Sequence, residues 1–419
     1  MKSSLSAVFL TAASTLSLHA EWIDSPMIRL GSELDVFATA QARLEFDDNL
    51  FYRQNSGGVL PNSGVFYDVV PGLEFQYGKD LPLTGSFNIS RRYRNFFNSA
   101  LRTLDDEQDF GQFSLAYDGG GPLKLDASAS YAESARNTDD LAAFATFGGS
   151  LVRQTNYAQS VKATYQFTER TQGSIAVRHT SNRYDPVDID ADNNPLTAPV
   201  ANTLGLQEYD GWVIPLSARY KFSEKISAAA DLEFGETDLS PARGNPNAGV
   251  VNDTLDRKYY GLTLNYAASD KLDYEFKVGF LDSSYQSKSY SKQSPSYSLR
   301  ASHMLTEKMD QSLTFSQDAS ASPTGGLSDA FRIAYDLNFN NSEAVRSFFR
   351  LNYSNSSVDS FNPTTFSQSS SDIEVLGASL GGSYTPDTHW VYSFNYSYSH
   401  SLSSNFDVNR ISIEASFRW

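Results

Sequence analysis

The chain has 419 residues, with 33 Lys+Arg against 49 Asp+Glu, a formal net charge of −16 and no cysteine. The missing cysteines exclude disulfides, thiolate metal sites and Cys nucleophiles. The acidity argues against nucleic acid, whose phosphates need clustered Lys and Arg. Twenty-eight Phe, 24 Tyr and 4 Trp are too many aromatics for a disordered chain, yet the mean hydropathy is only −0.40. That mix suits a β protein with one apolar and one wet face.

Residues 1–20 carry Lys2, an apolar stretch from Leu5 to Leu18 broken by Ser and Thr, and a small residue, Ala20, at the end. This pattern predicts a secretory signal peptide, too short for a spanning helix. Residues 21–33 are then a short periplasmic segment. No later stretch is apolar and long enough for a transmembrane helix.

From residue 34 onward the chain alternates. Leu34, Val36, Ala38, Ala40, Ala42, Leu44 and Phe46 are apolar at every second position, with Asp35, Thr39, Gln41, Arg43 and Glu45 between them. The same period recurs at Leu123–Tyr131, Leu272–Phe280, Phe331–Phe339, Trp390–Tyr398 and Ile411–Trp419. Period 2 predicts strands with one apolar and one polar face. At roughly 10 to 15 residues they exceed ordinary soluble strands and match the length that crosses a bilayer at a tilt. Aromatics gather at their ends, as in the interfacial girdles of membrane barrels. The expected fold is an all-β, antiparallel, up-and-down transmembrane β-barrel over residues 34–419, in the outer membrane of a Gram-negative-type bacterium.

Short polar turns recur at Gly78-Lys79-Asp80, Gly119-Gly120-Gly121-Pro122, Thr168-Glu169-Arg170, Ser223-Glu224-Lys225, Ser269-Asp270-Lys271, Thr306-Glu307-Lys308, Asn341-Ser342-Glu343 and Thr385-Pro386-Asp387. Longer connections, among them 48–63, 135–152 and 185–205, are rich in Asn, Asp, Ser, Gly and Pro. Short periplasmic turns against long outer loops give about 18 strands, with 16 as the alternative. A barrel of that size encloses water rather than its own side chains.

Among the inward-phase charges, Arg92, Arg94, Arg178, Arg219, Asp231, Glu233, Glu275, Lys277, Arg332 and Asp336 are the pore-lining candidates. Arg92, Arg94, Arg178 and Arg219 are the candidates for a constriction or an anion-steering ladder. The competing reading makes them salt-bridged wall residues, since opposed charges are normal sheet pairing. Arg91 falls on the lipid phase, so it either sits near an interface or marks a bulge. His179 has Ser181 and Asp185 nearby in sequence, but a catalytic triad is recognised by geometry, and no enzymatic motif accompanies them. No organic cofactor is expected. Asp188, Asp190 and Asp192 alternate as calcium-binding carboxylates do, although Asn193 and Pro199 stand where a Gly and a bidentate Glu are usual. A structural calcium is the one metal this loop suggests.

Two segments carry a resemblance. Glu45-Phe46-Asp47-Asp48-Asn49-Leu50-Phe51 resembles the aromatic-Asp-Asp-Asn-aliphatic-aromatic signature of a family of outer-membrane β-barrel porins, some encoded with exopolysaccharide or exosortase-type systems. The C-terminal strand, through Phe417 and Trp419, resembles the signal read by the barrel-assembly machinery, with Trp in place of the commoner Phe. The resemblance implies a channel for small hydrophilic solutes. The alternative is a gated or closed barrel in polysaccharide export or surface assembly. Outer-membrane lipid and lipopolysaccharide are expected surroundings, and the oligomeric state stays open.

Overall fold

The computed structural model describes residues 26–50, 63–136, 152–185, 207–241, 253–286, 291–321, 327–362, 367–403 and 405–419. A short strand, β1 (Ile28–Leu30), leads into eighteen long ones. These are β2 (Leu34–Asp47), β3 (Gly64–Tyr77), β4 (Leu83–Phe96), β5 (Asp106–Asp118), β6 (Leu123–Arg136), β7 (Val152–Gln166), β8 (Thr171–Asp185), β9 (Gln207–Lys221) and β10 (Ile226–Pro241). The second half comprises β11 (Asp253–Ser269), β12 (Leu272–Tyr285), β13 (Ser291–Thr306), β14 (Met309–Ala321), β15 (Leu327–Asn340), β16 (Val345–Asn362), β17 (Ser367–Tyr384), β18 (Trp390–Ser401) and β19 (Phe406–Arg418). Each pairs antiparallel with its sequence neighbours, and β19 pairs with β2, so β2 to β19 close a ring. The structure therefore has 18 barrel strands, and the alternative of 16 falls away. β1 is an addition that the alternation did not signal. It forms a small hairpin on β2, with Ile28 opposite Val36.

Alternation decides which way each side chain points. Leu262, Phe280 and Ile413 are 61%, 62% and 57% exposed on the outer surface, although all three are apolar. In water such a surface would aggregate; around a closed barrel it is the surface that meets lipid. Closure satisfies every strand's backbone groups, which hydrocarbon cannot do. This is the architecture of outer-membrane barrels. No helix among the described residues is long and apolar enough to cross a membrane.

The periplasmic turns share one chemistry. Thr168 Oγ1 accepts from the backbone N–H of Arg170 (3.2 Å) and Thr171 (3.0 Å). Ser223 Oγ accepts from Lys225 (3.2 Å) and Ile226 (3.1 Å); Ser269 accepts from Lys271, Thr306 from Lys308 and Ser342 from Val345 in their own turns. A Ser or Thr followed by charged residues is a turn because its hydroxyl captures the N–H groups that the ladder has just released. Gly78 turns β3 into β4 with φ +72°, and a Cβ there would lie 2.1 Å from the Leu83 carbonyl oxygen.

The ring closes through a clamp at each end of the β2–β19 seam. At the outer end, Asp48 accepts from the backbone N–H and the Nδ2 of Asn409, both at 2.6 Å. Arg410 Nε donates to Asp47 at 2.7 Å, and Asn49 Nδ2 donates to the Asp407 carbonyl at 2.8 Å. At the inner end, Trp419 and Ala38 exchange backbone hydrogen bonds of 2.6 and 3.0 Å. Arg418 forks onto Glu74 at 2.9 and 3.1 Å, with its guanidinium 3.6 Å above the Phe37 ring. The acidic part of the sequence signature is thus the outer lock of the barrel. Asp48→Ala removes both acceptors and should lower stability by about 1–3 kcal/mol. The drop is read as an earlier loss of the heat-resistant folded band on electrophoresis, with Asp80→Ala in a periplasmic turn unchanged.

Candidate lumen site

The inward face is built from the polar half of each strand. The register places Arg92, Arg94, Arg178, Arg219, Asp231, Glu233, Glu275, Lys277, Arg332 and Asp336 all on that face. They do not form one cluster, and they split between two walls of different character.

The wall of β2 to β5, joined by β19, is crowded and charge-compensated. Arg94 forks onto Asp68 at 2.9 and 3.0 Å, and Arg92 Nε lies 3.8 Å from the same carboxylate. Arg92 also donates to Gln108 at 3.2 Å, and Gln108 in turn donates to Asp106 at 2.8 Å. Arg43 pairs with Glu45, and Arg410 with Asp47. The Asp68 side chain is 2% exposed. Four arginines and four carboxylates close on one another, so Arg92 and Arg94 present little free charge to a solute. Two of the guanidiniums also stack on inward rings: Arg94 stands 4.3 Å from Phe66, and Arg92 4.9 Å from Phe110.

An apolar cap covers this cluster at the outer mouth. Asn98 Oδ1 accepts from Ala100 N at 3.0 Å and starts a short 3-10 helix, Ser99–Leu104. Asp105 Oδ1 ties its far end to Phe96 N at 2.7 Å. The helix turns Leu101 and Leu104 onto Leu50, Phe66 and Phe96. A Cβ on Gly64, which shares the inward phase with Phe66, would lie 2.8 Å from Leu101. A side chain at this position would have to displace Leu101 and Leu50. Alternation along the chain carries no sign of the helix at Ser99–Leu104, and Leu50 of the signature motif belongs to the cap.

The rest of the lumen is more open in its chemistry. Arg178 lies 3.9 Å from Glu233, and Asp231 accepts from Thr263 at 2.7 Å. Lys277 pairs with Glu275 at 2.9 Å, and Arg350 with Asp336 at 3.2 Å. Arg219 lies in register between Gln172 and Ala229. Three inward arginines, Arg332, Arg257 and Arg300, and the inward lysines Lys162 and Lys221 have no carboxylate within 4 Å among the described residues. Arg257 and Arg300 were not among the sequence candidates. Alternation could have placed them, since Tyr260, Leu262 and Leu264 point outward on β11, and Tyr297 and Leu299 on β13. Their want of a partner is a matter of distance, which alternation does not carry. From β13 to β19 the inward side chains include many small hydroxyls, such as Ser298, Ser316, Ser354, Ser379, Ser397 and Ser412.

Arg91 points outward with no shift of register on β4 and pairs with Glu107 (2.5 Å) and Asp109 (3.6 Å), near the outer strand ends. His179 also points outward. It hydrogen-bonds Asp210 at 2.9 Å and packs on Trp212, with ring centroids 4.4 Å apart. Phe417 packs on Trp390 at 4.9 Å on the outer surface. Asp188, Asp190 and Asp192 lie outside the described residues.

No protein-family model matches the chain, and no curated protein matches it in sequence. Among solved structures, OccAB4 of Acinetobacter baumannii is 10% identical, with 93% of this chain covering 99% of that one at a TM-score of 0.45. The alcaligin outer-membrane receptor FauA of Bordetella pertussis is 12% identical, with 92% and 76% covered at 0.42. For an apoprotein form of the FrpB iron transporter of Neisseria meningitidis the values are 12%, 89% and 62% at 0.49, so this chain spans less than two thirds of that transporter. Likeness of this order ties no transported solute to this chain.

Asp68 is the hub of the compensated wall. Asp68→Asn leaves two arginines facing one another without their carboxylate and should cost about 3–5 kcal/mol. Chemical unfolding in detergent micelles checks this, with Arg300→Gln, which breaks no ion pair, expected within about 0.5 kcal/mol of the parent.

Proposed function

We propose that the chain is an outer-membrane channel through which small hydrophilic solutes diffuse. The observation that carries this reading is a closed ring of 18 strands whose inward ion pairs run along the wall, between strands at most two apart. A ring of that number is too wide to be filled by wall side chains and leaves an aqueous path.

A second reading is a gated barrel in polysaccharide export or surface assembly. The helix folded inside the outer mouth over Gly64 favours it, because an inward-tucked segment narrows the entrance. Partners rather than passing solutes would then set the traffic.

Refolded protein in a planar lipid bilayer separates the two. The channel reading expects steady single-channel steps in potassium chloride without any partner. A barrel that is folded by its heat-modifiable migration yet never conducts overturns that reading and supports the gated one.

A further inference from the structure

The three arginines without carboxylate partners occupy every second strand of one wall: Arg257 on β11, Arg300 on β13 and Arg332 on β15. All three strands run towards the periplasm. Arg300 lies six residues before the end of β13 at Thr306, Arg332 eight before Asn340, and Arg257 twelve before Ser269. At about 3.3 Å per residue, those positions are roughly 20, 26 and 40 Å along the strand from the periplasmic side. The row is therefore staged through the lumen rather than gathered at one level.

Its register partners are mostly hydroxyls and small residues, while Leu255 and Tyr259 flank Arg257 along β11. Arg332 lies in register between Ser316 and Ser354, and Arg257 between Gly235 and Ser283. Arg300 lies between Thr314 and Glu275, but Glu275 bonds Lys277 instead. Glu233 and Asp318 act on Arg257 only at longer range. A guanidinium has five N–H donors in a planar fork, and here no protein carboxylate fills it. A carboxylate fits that fork with two parallel hydrogen bonds, and neighbouring Ser and Thr hydroxyls can both donate to and accept from a solute's own hydroxyls. The chain's net negative charge does not cancel the row, since a charge beyond about 8 Å is screened at physiological ionic strength.

We propose that Arg300, Arg332 and Arg257 form the selective track of the pore, and that its solutes are small hydroxylated carboxylates. The assignment rests on the channel reading above.

The test uses the full chain in planar bilayers under a gradient of potassium gluconate. The parent protein is expected to pass gluconate in preference to potassium. The triple variant Arg257→Gln, Arg300→Gln, Arg332→Gln should lower that permeability ratio about tenfold, the scale on which a like-charged cleft concentrates its counter-ion. Lys124→Gln, at an exposed pair with Asp118 near the periplasmic rim, should leave it within about twofold. Arg300→Gln alone, at the most lumen-exposed of the three, guards against a triple variant that does not fold and should lower the ratio about two- to threefold. Hexanoate, with the same carbon count and no hydroxyls, should permeate less than gluconate. A conducting parent that prefers potassium, or a folded triple variant with an unchanged ratio, overturns the track and leaves the channel standing. Equal passage of hexanoate and gluconate overturns the role of the hydroxyl wall. A folded parent that never conducts overturns the channel and the track together.

Discussion

In hydrocarbon a strand edge is a row of N–H and C=O groups that no water can satisfy, each costing several kcal/mol. An eighteen-stranded sheet can lie in a bilayer only if its first and last strands find each other. The chain must therefore bring β2 and β19, more than 350 residues apart, into one register, and everything else in the lumen depends on that register being held. The clamps at the two ends of the seam act at that join. Asp47, Asp48 and Asn49 grip β19 at the outer mouth, while Arg418 and the Trp419 backbone grip β2 and β3 at the inner one. A slip of one residue would turn every inward charge to lipid, so these contacts fix both closure and the face each side chain occupies.

Once the ring is closed, the walls divide the lumen. The β2–β5 wall folds its charges onto one another and covers them with Leu50, Leu101 and Leu104. Buried pairs of this kind are poor at attracting a solute, because each charge is already spent on its partner. Across the sheet, the β13–β19 wall carries many hydroxyls that hydrate readily. The staged arginines stand on β11, β13 and β15, partly within that hydroxyl-rich wall. The pore is thus uneven around its circumference.

Much of this was legible in the residues. Alternation of apolar and polar positions fixed the strands, their outward faces and the inward phase of Arg92, Arg94, Arg178 and Arg332, because a pleated strand has no other way to place consecutive side chains. The Ser and Thr turns were legible for the same local reason: a hydroxyl captures N–H groups two and three residues on. The short helix at Ser99–Leu104 was not, since it rests on contacts with Leu50, Phe66 and Phe96 from other strands. Arg91 shows the boundary well. Its outward phase followed from the pattern, whereas the partners that make it tolerable there, Glu107 and Asp109, come from a neighbouring strand.

Period-2 patterning is a local property of the chain, and it is enough to specify a lipid-facing barrel with a wet interior. Which inward charges are neutralised and which stand free is settled between strands. Asp68 reaches both Arg92 and Arg94, Glu275 turns to Lys277 rather than Arg300, and Arg257 and Arg332 are left beside serines. Those outcomes depend on the distances between side chains on different strands, set by register and tilt, and no order of residues along one strand encodes them.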